Sequence, residues 1–577
     1  VSCGASSLLH FLRRRRPVAD SATRRMRHRH RHARAAAEAA DDTESLPTPD
    51  DGDAWLWSAR SSVRTSRWLL RGAEDLRNGD DDDEPFELQR CRKPPSFSWL
   101  DAKSHRLTVR CDSEDAAWAA WPRDAAVGGG FRWRPLPPAP AAYDVDADVV
   151  VTRCGGEENW LQQIRPKLDV LERAERARLR RAGGAAPDVM LLFVDSVSRA
   201  SFVRRFPRSS ALLRRVNGSG WGEAFNFPLY HALPCCTKNW LYAALGGVYA
   251  PARNGVHEPA LAARTDWLWD EFAAAGYATH VSNDVCYPSE LQDWWGREER
   301  PHAPNISDHP LLDTFCKRKP GAAGGAAAHF QTRWDGVQYE TALDDGEPIC
   351  LAGEPLPRRW LDQALAFLRA PAYARVPKFA YVALNDVHCR CARGAAHVDG
   401  EIERFVESLA SLPRPPLLLL ASDHGLLESF ERPPADLNLP WLSIVAPRDL
   451  LRAVPAAAAA LRGNQRRLVT PFDVHATLQH VARAAAGAPH PPSPDAAALA
   501  RWREFREKFE ANERATPLQY AQVPRSARPV GRSLLDELPE RGCADAGIPQ
   551  SACRLTPLGG GDGVGGWWRA ATRGWVG

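Results

Sequence analysis

The sequence contains no run of about 18 apolar residues, the length that a transmembrane helix needs, so we expect no membrane-spanning segment within it. Neither sign of charge predominates: 75 Lys and Arg residues stand against 71 Asp and Glu residues, which gives a formal net charge of +4. This near balance argues against a protein whose whole surface binds nucleic acid. Methionine is scarce, with 2 residues against 13 cysteines. The length of 577 residues leaves room for a large core with appended regions.

The N-terminal region is rich in charge and poor in hydrophobic residues. Basic runs occupy 13–16 and 24–32, and an acidic run follows at 80–83. Such blocks cannot bury enough apolar surface to offset the entropy lost on ordering, so we predict that 1–85 is a disordered charged tail. A solvated tail is preferred to an arm that binds nucleic acid or anionic lipid. The sequence begins with Val1, and this interpretation leaves open a signal peptide or membrane anchor upstream of it.

Three features favour an extracellular or secretory-pathway location over the cytosol. Asn217 and Asn305 each begin a glycosylation sequon. Cys543 and Cys553 lie in a short loop-rich stretch with no second Cys/His pair nearby, which suits a disulfide better than a zinc site. We therefore predict a glycoprotein with disulfide bonds.

The pattern of apolar residues predicts an α/β protein with a three-layer core, a mainly parallel sheet between helices. Short strands broken by Pro and Gly predict a small β-rich region plus a helix at 158–182, together covering 86–186. Helix-then-strand units recur through the core, 187–485, and its strands are continuous apolar runs of the kind that parallel sheets bury. The remainder, 486–577, is predicted to hold a linker, a charged helix and the disulfide-containing tail.

Polar residues follow three of the predicted strands. They are Asp195 after one strand, Asp386 and His388 after another, and Asp423 and His424 after a third. A single carboxylate in such a place is often only a helix cap or turn former, but three clusters at one sheet edge are harder to explain that way. Carboxylates and imidazoles that converge are the ligand set of a divalent cation.

Several motifs together resemble the alkaline phosphatase and sulfatase superfamily. They are DSVSR at 195–199, SDHG at 422–425, LPWLSIVAP at 439–447 and TPFDVHATL at 470–478. The pattern C..AGIP...C at the C-terminus narrows the resemblance to the eukaryotic family called domain of unknown function two-two-nine. The resemblance covers about 91–555.

This resemblance implies an alkaline phosphatase-like fold and one divalent cation, which is Mn, Zn, Ca or Mg. Asp195, Asp423 and His424 match the metal ligands of the family. His388 matches a histidine that faces the substrate, and Asp386 is an alternative further ligand. The second Asp and His of two-metal members have no counterpart at a recognisable spacing, so a single-metal site like that of lipoteichoic acid synthase-type members is expected.

The resemblance also places a nucleophile at the start of a helix, where backbone N–H groups and the helix dipole favour an anion. Counting from Cys236, Asn239 and Gly246 stand at the three- and ten-residue spacings of phosphoryl-transferring members. Thr237 is the alternative, because a hydroxyl is the usual chemistry of the family. The competing structural explanation is that Cys235 or Cys236 is disulfide-bonded or packed in the core and that Thr237 only caps the helix.

The sulfatase signal is damaged, because Lys238 and Trp240 replace its Pro and Arg. We therefore expect a hydrolase or transferase of phosphate-type esters rather than sulfate esters, on a substrate that is glycan-linked, lipid-linked or small. The alternative is a catalytically inactive relative that binds anionic glycans. Asn239 and Arg199 are candidate substrate-binding residues, although Arg199 equally suits pairing with a carboxylate. His475 is interpreted as a packing residue.

Overall fold

The structure is a computed structural model. It describes residues 93, 95–101, 103–121, 132–136, 141–180, 186–233, 237–248, 265–283, 306–311, 350–351, 353–385, 387, 392–425, 437–489, 497, 500, 504, 531–548, 553, 555–557 and 568–570. These residues belong to one compact unit, Ser61–Pro251 with His257–Gly577. The predicted tail 1–85, Asn305 and most of the charged C-terminal helix lie outside the described residues. The predicted domain boundaries stay predictions.

Antiparallel strands form the region before the core. One sheet has the order β1-β2-β5 and the other the order β4-β3-β6-β7. Their strands are β1 (Ser98–Asp101), β2 (Arg106–Val109), β3 (Ala117–Trp121), β4 (Arg134–Pro135), β5 (Ala141–Asp144), β6 (Val149–Cys154) and β7 (Glu157–Gln162). A cluster that includes Phe97, Leu107, Trp118 and Val150 packs between them. A disulfide joins Cys111 to Cys154.

The helix predicted at 158–182 is shorter than expected, and its first part is a strand. Residues of β7 pair antiparallel with β6, with Trp160 opposite Val151. Helix α1 begins only at Leu168 and ends at Arg180. Pro166 accounts for the break, because proline disfavours helical backbone at the residue before it. Trp160 and Asn159 are buried by the strand pairing, and this tertiary gain outweighs the local helical spacing.

The core contains a seven-stranded sheet with the order β11-β10-β14-β8-β15-β16-β9. The pairs from β11 to β15 are parallel, and β16 and β9 add an antiparallel edge. Its strands are β8 (Val189–Val194), β9 (Gly222–Asn226), β10 (Ala278–Asn283), β11 (His309–Leu311), β14 (Lys378–Leu384), β15 (Leu417–Ala421) and β16 (Leu442–Pro447). The predicted α/β core with a mainly parallel sheet is confirmed.

Short antiparallel pairs complete the described strands. They are β12 (Cys350–Leu351) with β13 (Glu354–Pro355), and β17 (Leu555–Pro557) with β18 (Trp568–Ala570).

Helices cover the sheet. In chain order after α1 they are α2 (Arg199–Arg205), α3 (Pro207–Val216), α4 (Thr237–Gly246), α5 (Leu268–Ala274), α6 (Leu356–Arg369), α7 (Ala392–Ala410), α8 (Arg448–Ala453), α9 (Pro455–Asn464) and α10 (Pro471–Ala486). Helix α10 packs on both α4 and α5, and α2, α3, α6 and α7 form a second group. Leu191 and Phe193 of β8 pack in the cluster with α4, while Leu192 is equally buried, so both faces of the sheet are covered. In the part of the chain that is described, no helix combines the length and apolarity of a membrane span.

Two buried histidines predict how stability depends on pH. Burial lowers the pKa of His280 and of His475 to about 4. The His475 ring packs against Gly247 and hydrogen-bonds to the main chain of Ala244, in keeping with the packing role predicted for it. Because the folded-state pKa lies below the ordinary 6.5, the unfolded chain binds more protons between these values. The stabilisation from each neutral histidine is complete above pH 6.5 and is lost as the pH falls toward 4.

We expect the free energy of unfolding to fall by about 1 kcal/mol per histidine between pH 6.5 and 5.5. His475→Gln should remove that share of the slope in denaturant unfolding, whatever its effect at pH 7.5. Val474→Ala, on the same helix, buried and without a titratable group, is the control and should keep the wild-type slope. An unchanged slope in His475→Gln contradicts the assignment.

Candidate functional site

Asp195 lies at the carboxyl end of β8, at the centre of the sheet. Its main-chain N–H donates to the Leu384 carbonyl at 2.9 Å, which continues the pairing of β8 with β14 by one residue. The next residue, Ser196, has a left-handed φ of 61°. Such backbone costs a serine on the order of 1 kcal/mol and persists where surrounding contacts hold it. Here the Ser196 hydroxyl bonds to Asp195 Oδ1 at 2.8 Å, and its N–H donates to Asp423 Oδ1 at 3.0 Å.

Asp423 and His424 follow β15, the parallel neighbour of β8. Asp423 Oδ1 also accepts the N–H of His424 at 2.9 Å. Ser422 supports the same turn, because its hydroxyl accepts the Val197 N–H at 2.8 Å. These hydrogen bonds, from side chains and main chain, join the end of β15 to the end of β8. They hold the two carboxylates side by side. Both aspartates and His424 are buried.

The three side chains form a cluster of the size of a cation site. Ligand atoms of Asp195, Asp423 and His424 lie within 4.8 Å of one another. Ligands of one divalent cation, at bond lengths of about 2.0–2.6 Å, are at most about 5 Å apart. Asp423 Oδ2 is buried and has no hydrogen bond to any described residue. That oxygen is thus an orphaned acceptor directed into the cluster.

The tautomer of His424 gives a second test of fit. Its Nδ1 lies 2.7 Å from the Gly425 carbonyl oxygen, and because a carbonyl only accepts, Nδ1 carries the proton. In the neutral ring, Nε2 then presents its lone pair. Nε2 lies 3.1 Å from Asp423 Oδ2, so two acceptors face each other. A cation bound by both atoms removes this repulsion, and the Nδ1 bond is the support that metal-bound histidines usually have.

Helix α4 begins at Thr237, beside the cluster. The Thr237 hydroxyl donates to Asp195 Oδ2 at 3.3 Å, and the side chain is only partly buried. A side-chain hydrogen bond joins α4 to Tyr230, which precedes the helix in the chain. The Tyr230 hydroxyl accepts the Trp240 Nε1–H at 2.6 Å, and burial raises the pKa of Tyr230, which keeps that hydroxyl neutral. Thr237 is consequently held at a helix N-terminus next to a carboxylate of the cluster.

The other predicted site residues stand as follows. Cys236, Asp386 and His388 lie outside the described residues and stay predictions. Asn239 is buried on α4. Arg199 begins α2, donates from Nη1 to the Pro228 carbonyl at 3.2 Å, and has its pKa lowered to about 10 by burial.

Sequence reasoning missed Ser196 and Ser422. Their roles depend on a left-handed φ and on hydrogen bonds across 225 and 227 residues of sequence. The spacing of residues in the sequence indicates neither a left-handed φ nor a long-range hydrogen bond. Ser196 and Ser422 could therefore be identified only from the folded structure.

The general class of the protein is therefore an α/β protein with a buried cluster of two carboxylates and an imidazole at one edge of its central sheet. The chain belongs to the family described as "Protein of unknown function (DUF229)", whose sequence profile matches residues 142–296 and 330–557. The family predicted from the motifs is confirmed. No curated protein matched the sequence.

Solved structures show distant similarity. A protein in the alkaline phosphatase superfamily from Vibrio parahaemolyticus shares 12% identity over 56% of this chain and 76% of its own, with a TM-score of 0.35. The lipoteichoic acid synthase LtaP from Listeria monocytogenes shares 9% identity over 55% and 78%, with a TM-score of 0.34. The C-terminal periplasmic domain of EcEptC from Escherichia coli, in complex with Zn, shares 12% over 52% and 84%, with a TM-score of 0.34. Similarity at this level assigns no residue role and no substrate to this chain.

Proposed function

We propose that the protein is a metal-dependent hydrolase or transferase of phosphate-type esters. The observation that carries this proposal is the Thr237 hydroxyl, which donates to Asp195 Oδ2 within a buried cluster fitted to a divalent cation. Asp195, Asp423 and His424 would hold the cation. When bound, it supplies Lewis-acid polarisation of the ester oxygens and favours the ionised form of a nearby hydroxyl.

The chain's own residues supply the rest of the chemistry. The Asp195 carboxylate orients the Thr237 hydroxyl and can accept its proton. The hydroxyl oxygen attacks phosphorus, the ester oxygen leaves, and the phosphoryl group is carried on Thr237 until water or an acceptor alcohol takes it. The N–H groups and the dipole at the N-terminus of α4 favour the negative charge that develops there. His388 is proposed to face the substrate and protonate the leaving oxygen.

Cys236 remains the alternative nucleophile, since its sequence spacing to Asn239 and Gly246 matches the phosphoryl-transferring pattern. Arg199 and Asn239 are proposed as substrate-binding residues. The substrate class is an ester carried by a glycan, a lipid or a small alcohol, and phosphate is preferred to sulfate because Lys238 and Trp240 interrupt the sulfatase signal.

The proposed location is extracellular or the secretory-pathway lumen. The disulfides Cys111–Cys154 and Cys543–Cys553 support it, because such bonds persist in oxidising compartments. Asn217 lies exposed in the turn after α3, where a glycan has room.

The function is tested by turnover of generic aryl phosphomonoesters, phosphodiesters and sulfate esters. We expect turnover of a phosphate ester that is lost on chelation and restored by Mn²⁺, Zn²⁺, Ca²⁺ or Mg²⁺. Faster turnover of the sulfate ester would contradict the preference for phosphate. A folded protein that turns over no ester with any cation contradicts the proposal and favours the anionic-glycan binder.

A further inference from the structure

One short segment is bonded to the chain beside each of the three described parts of the candidate site. We call residues 437–441 the positioning segment. Its successive carbonyls at 437, 438 and 439 accept the N–H groups of Gly425, Ala232 and Arg199, each at 2.9 Å. Gly425 directly follows His424, Arg199 follows the turn of Asp195, and Ala232 precedes α4. The spacing of metal ligands and nucleophile therefore depends on one stretch of backbone.

The same segment makes two further bonds at its end. The Trp441 N–H donates to the Val197 carbonyl at 3.0 Å, and the Trp441 carbonyl accepts the Ser422 N–H at 2.9 Å. Trp441 also stacks on Phe202 of α2, with ring centroids 3.8 Å apart. A displacement of this segment would be transmitted to the turns at both Asp195 and Asp423.

We call the chain closed by the Cys543–Cys553 bond the C-terminal disulfide loop, and its described residues pack behind the positioning segment. Leu439 shares a buried cluster with Leu229 and Leu468 and with three residues of the loop; those three are Cys543, Ala546 and Ile548. Cys553 packs against this cluster from the other end of the disulfide. The described residues of the loop thus share one buried cluster with Leu439 of the positioning segment and with Leu229, which precedes Thr237 in the chain.

Arg541 anchors the loop in the core. Its side chain is buried, donates from Nε and Nη2 to the Leu468 carbonyl at 3.1 and 2.8 Å, and pairs with Asp473 of α10. Beside Leu468, the Val469 carbonyl accepts the His231 N–H at 2.8 Å. Arg541 therefore holds the backbone at 468–469, which is hydrogen-bonded to His231 ahead of α4.

We infer that the C-terminal disulfide loop is a positioning element of the candidate site, which holds residues 437–441 and thereby the relative placement of the metal ligands and Thr237. This inference rests on the proposed function. None of the loop's described residues belongs to the metal-ligand cluster, so its effect acts through backbone placement. A displacement of about 1 Å in a reacting geometry costs on the order of 10²-fold in rate.

The test compares two disulfide deletions. Cys543→Ala/Cys553→Ala opens the positioning loop, and Cys111→Ala/Cys154→Ala opens the disulfide of the β-rich region as the matched control. The sequence separations are 10 and 43 residues, so chain entropy alone predicts the larger loss of stability in the control. If the loop positions the site, the candidate site should instead be disturbed more by Cys543→Ala/Cys553→Ala than by the control.

Hydrogen–deuterium exchange and steady-state kinetics give the readouts. In Cys543→Ala/Cys553→Ala we expect the amides of Arg199, Ala232 and Gly425 to exchange at least about ten-fold faster while the β8 amides are unchanged. We also expect kcat to fall about ten- to hundred-fold with little change in KM. In the control, these amides and kcat should match the wild type. Wild-type exchange and kcat in the first variant overturn the inference.

If Cys543→Ala/Cys553→Ala does not fold, Ile548→Ala serves instead, because it removes packing and leaves the disulfide in place. The same three amides must then exchange faster than in the wild type, and unchanged exchange overturns the inference. The exchange readout needs no substrate. Absent turnover in the wild type with faster exchange in the variants therefore contradicts the proposed function alone, whereas normal turnover with unchanged exchange contradicts this inference alone.

Discussion

Asp423→Asn should lower metal-dependent ester turnover by at least about 10³-fold while the protein stays folded. Asparagine keeps the shape and the Oδ1 acceptor that Ser196 and His424 use. It removes the charge at Oδ2, the buried oxygen with no hydrogen bond among the described residues. Loss of the cation forfeits several kcal/mol of transition-state stabilisation, and about 4 kcal/mol corresponds to 10³-fold.

The measurement is kcat/KM for the best aryl phosphate ester, together with Mn²⁺ binding by titration calorimetry. Asp399→Asn is the matched control, because Asp399 is equally buried but accepts its hydrogen bonds from the N–H groups of Arg208 and Ser209 at the start of α3. That variant should bind Mn²⁺ like the wild type even if it unfolds more easily. Wild-type Mn²⁺ binding and turnover in Asp423→Asn would exclude this cluster as the metal centre.

Thr237→Val should lower turnover by at least about 10³-fold, whereas Cys236→Ala should leave it within about three-fold of wild type. Valine has nearly the shape of threonine but cannot donate to Asp195 or attack phosphorus. Thr237→Ser restores the hydroxyl and should recover most of the rate. The opposite outcome, an inactive Cys236→Ala and an active Thr237→Val, would assign the nucleophile to Cys236.

A trapping experiment separates a nucleophile from a residue that only shapes the site. With a slow aryl phosphate ester, the wild type should gain the mass of one phosphoryl group, on the peptide that contains Thr237. Cys236→Ala should label in the same way and Thr237→Val should not. Labelling of Thr237→Val with an inactive Cys236→Ala would again indicate the thiol.

The sequence predicts the ends of strands β8 and β15 well because the apolar pattern is strong there. Strands β8 and β15 are uninterrupted apolar runs. Asp195 directly follows β8, and Asp423 follows β15 after Ser422. Parallel strands bring their carboxyl ends to one edge of the sheet. The sequence also indicates clearly where α10 begins. Thr470 and Asp473 form a capping box around Pro471, as the local sequence requires.

Other features of the structure are not indicated by the sequence pattern. Helical spacing in 158–162 misled the prediction because those residues bury their side chains by pairing with β6, a tertiary effect. The positioning segment works through carbonyl oxygens, which every residue has, so its sequence carries no mark of the role. The left-handed backbone of Ser196 is likewise set by its partners and not by residue type.

The connectivity of the sheet also dictates when the site can exist during synthesis. Strand β8 emerges early, but its two neighbours, β14 and β15, pair with it from Phe379 and Leu417 onward. Ser196 therefore meets Asp423 only after 227 further residues have been made, and the loop that covers Leu439 emerges later still. Long-range pairing of this kind folds slowly, and half-made chains expose apolar strand faces in the meantime. The proposed metal binding and ester chemistry would thus require strands and loop together, and a nascent chain released before Cys543 would have the strands of the fold without the loop residues that pack behind the site.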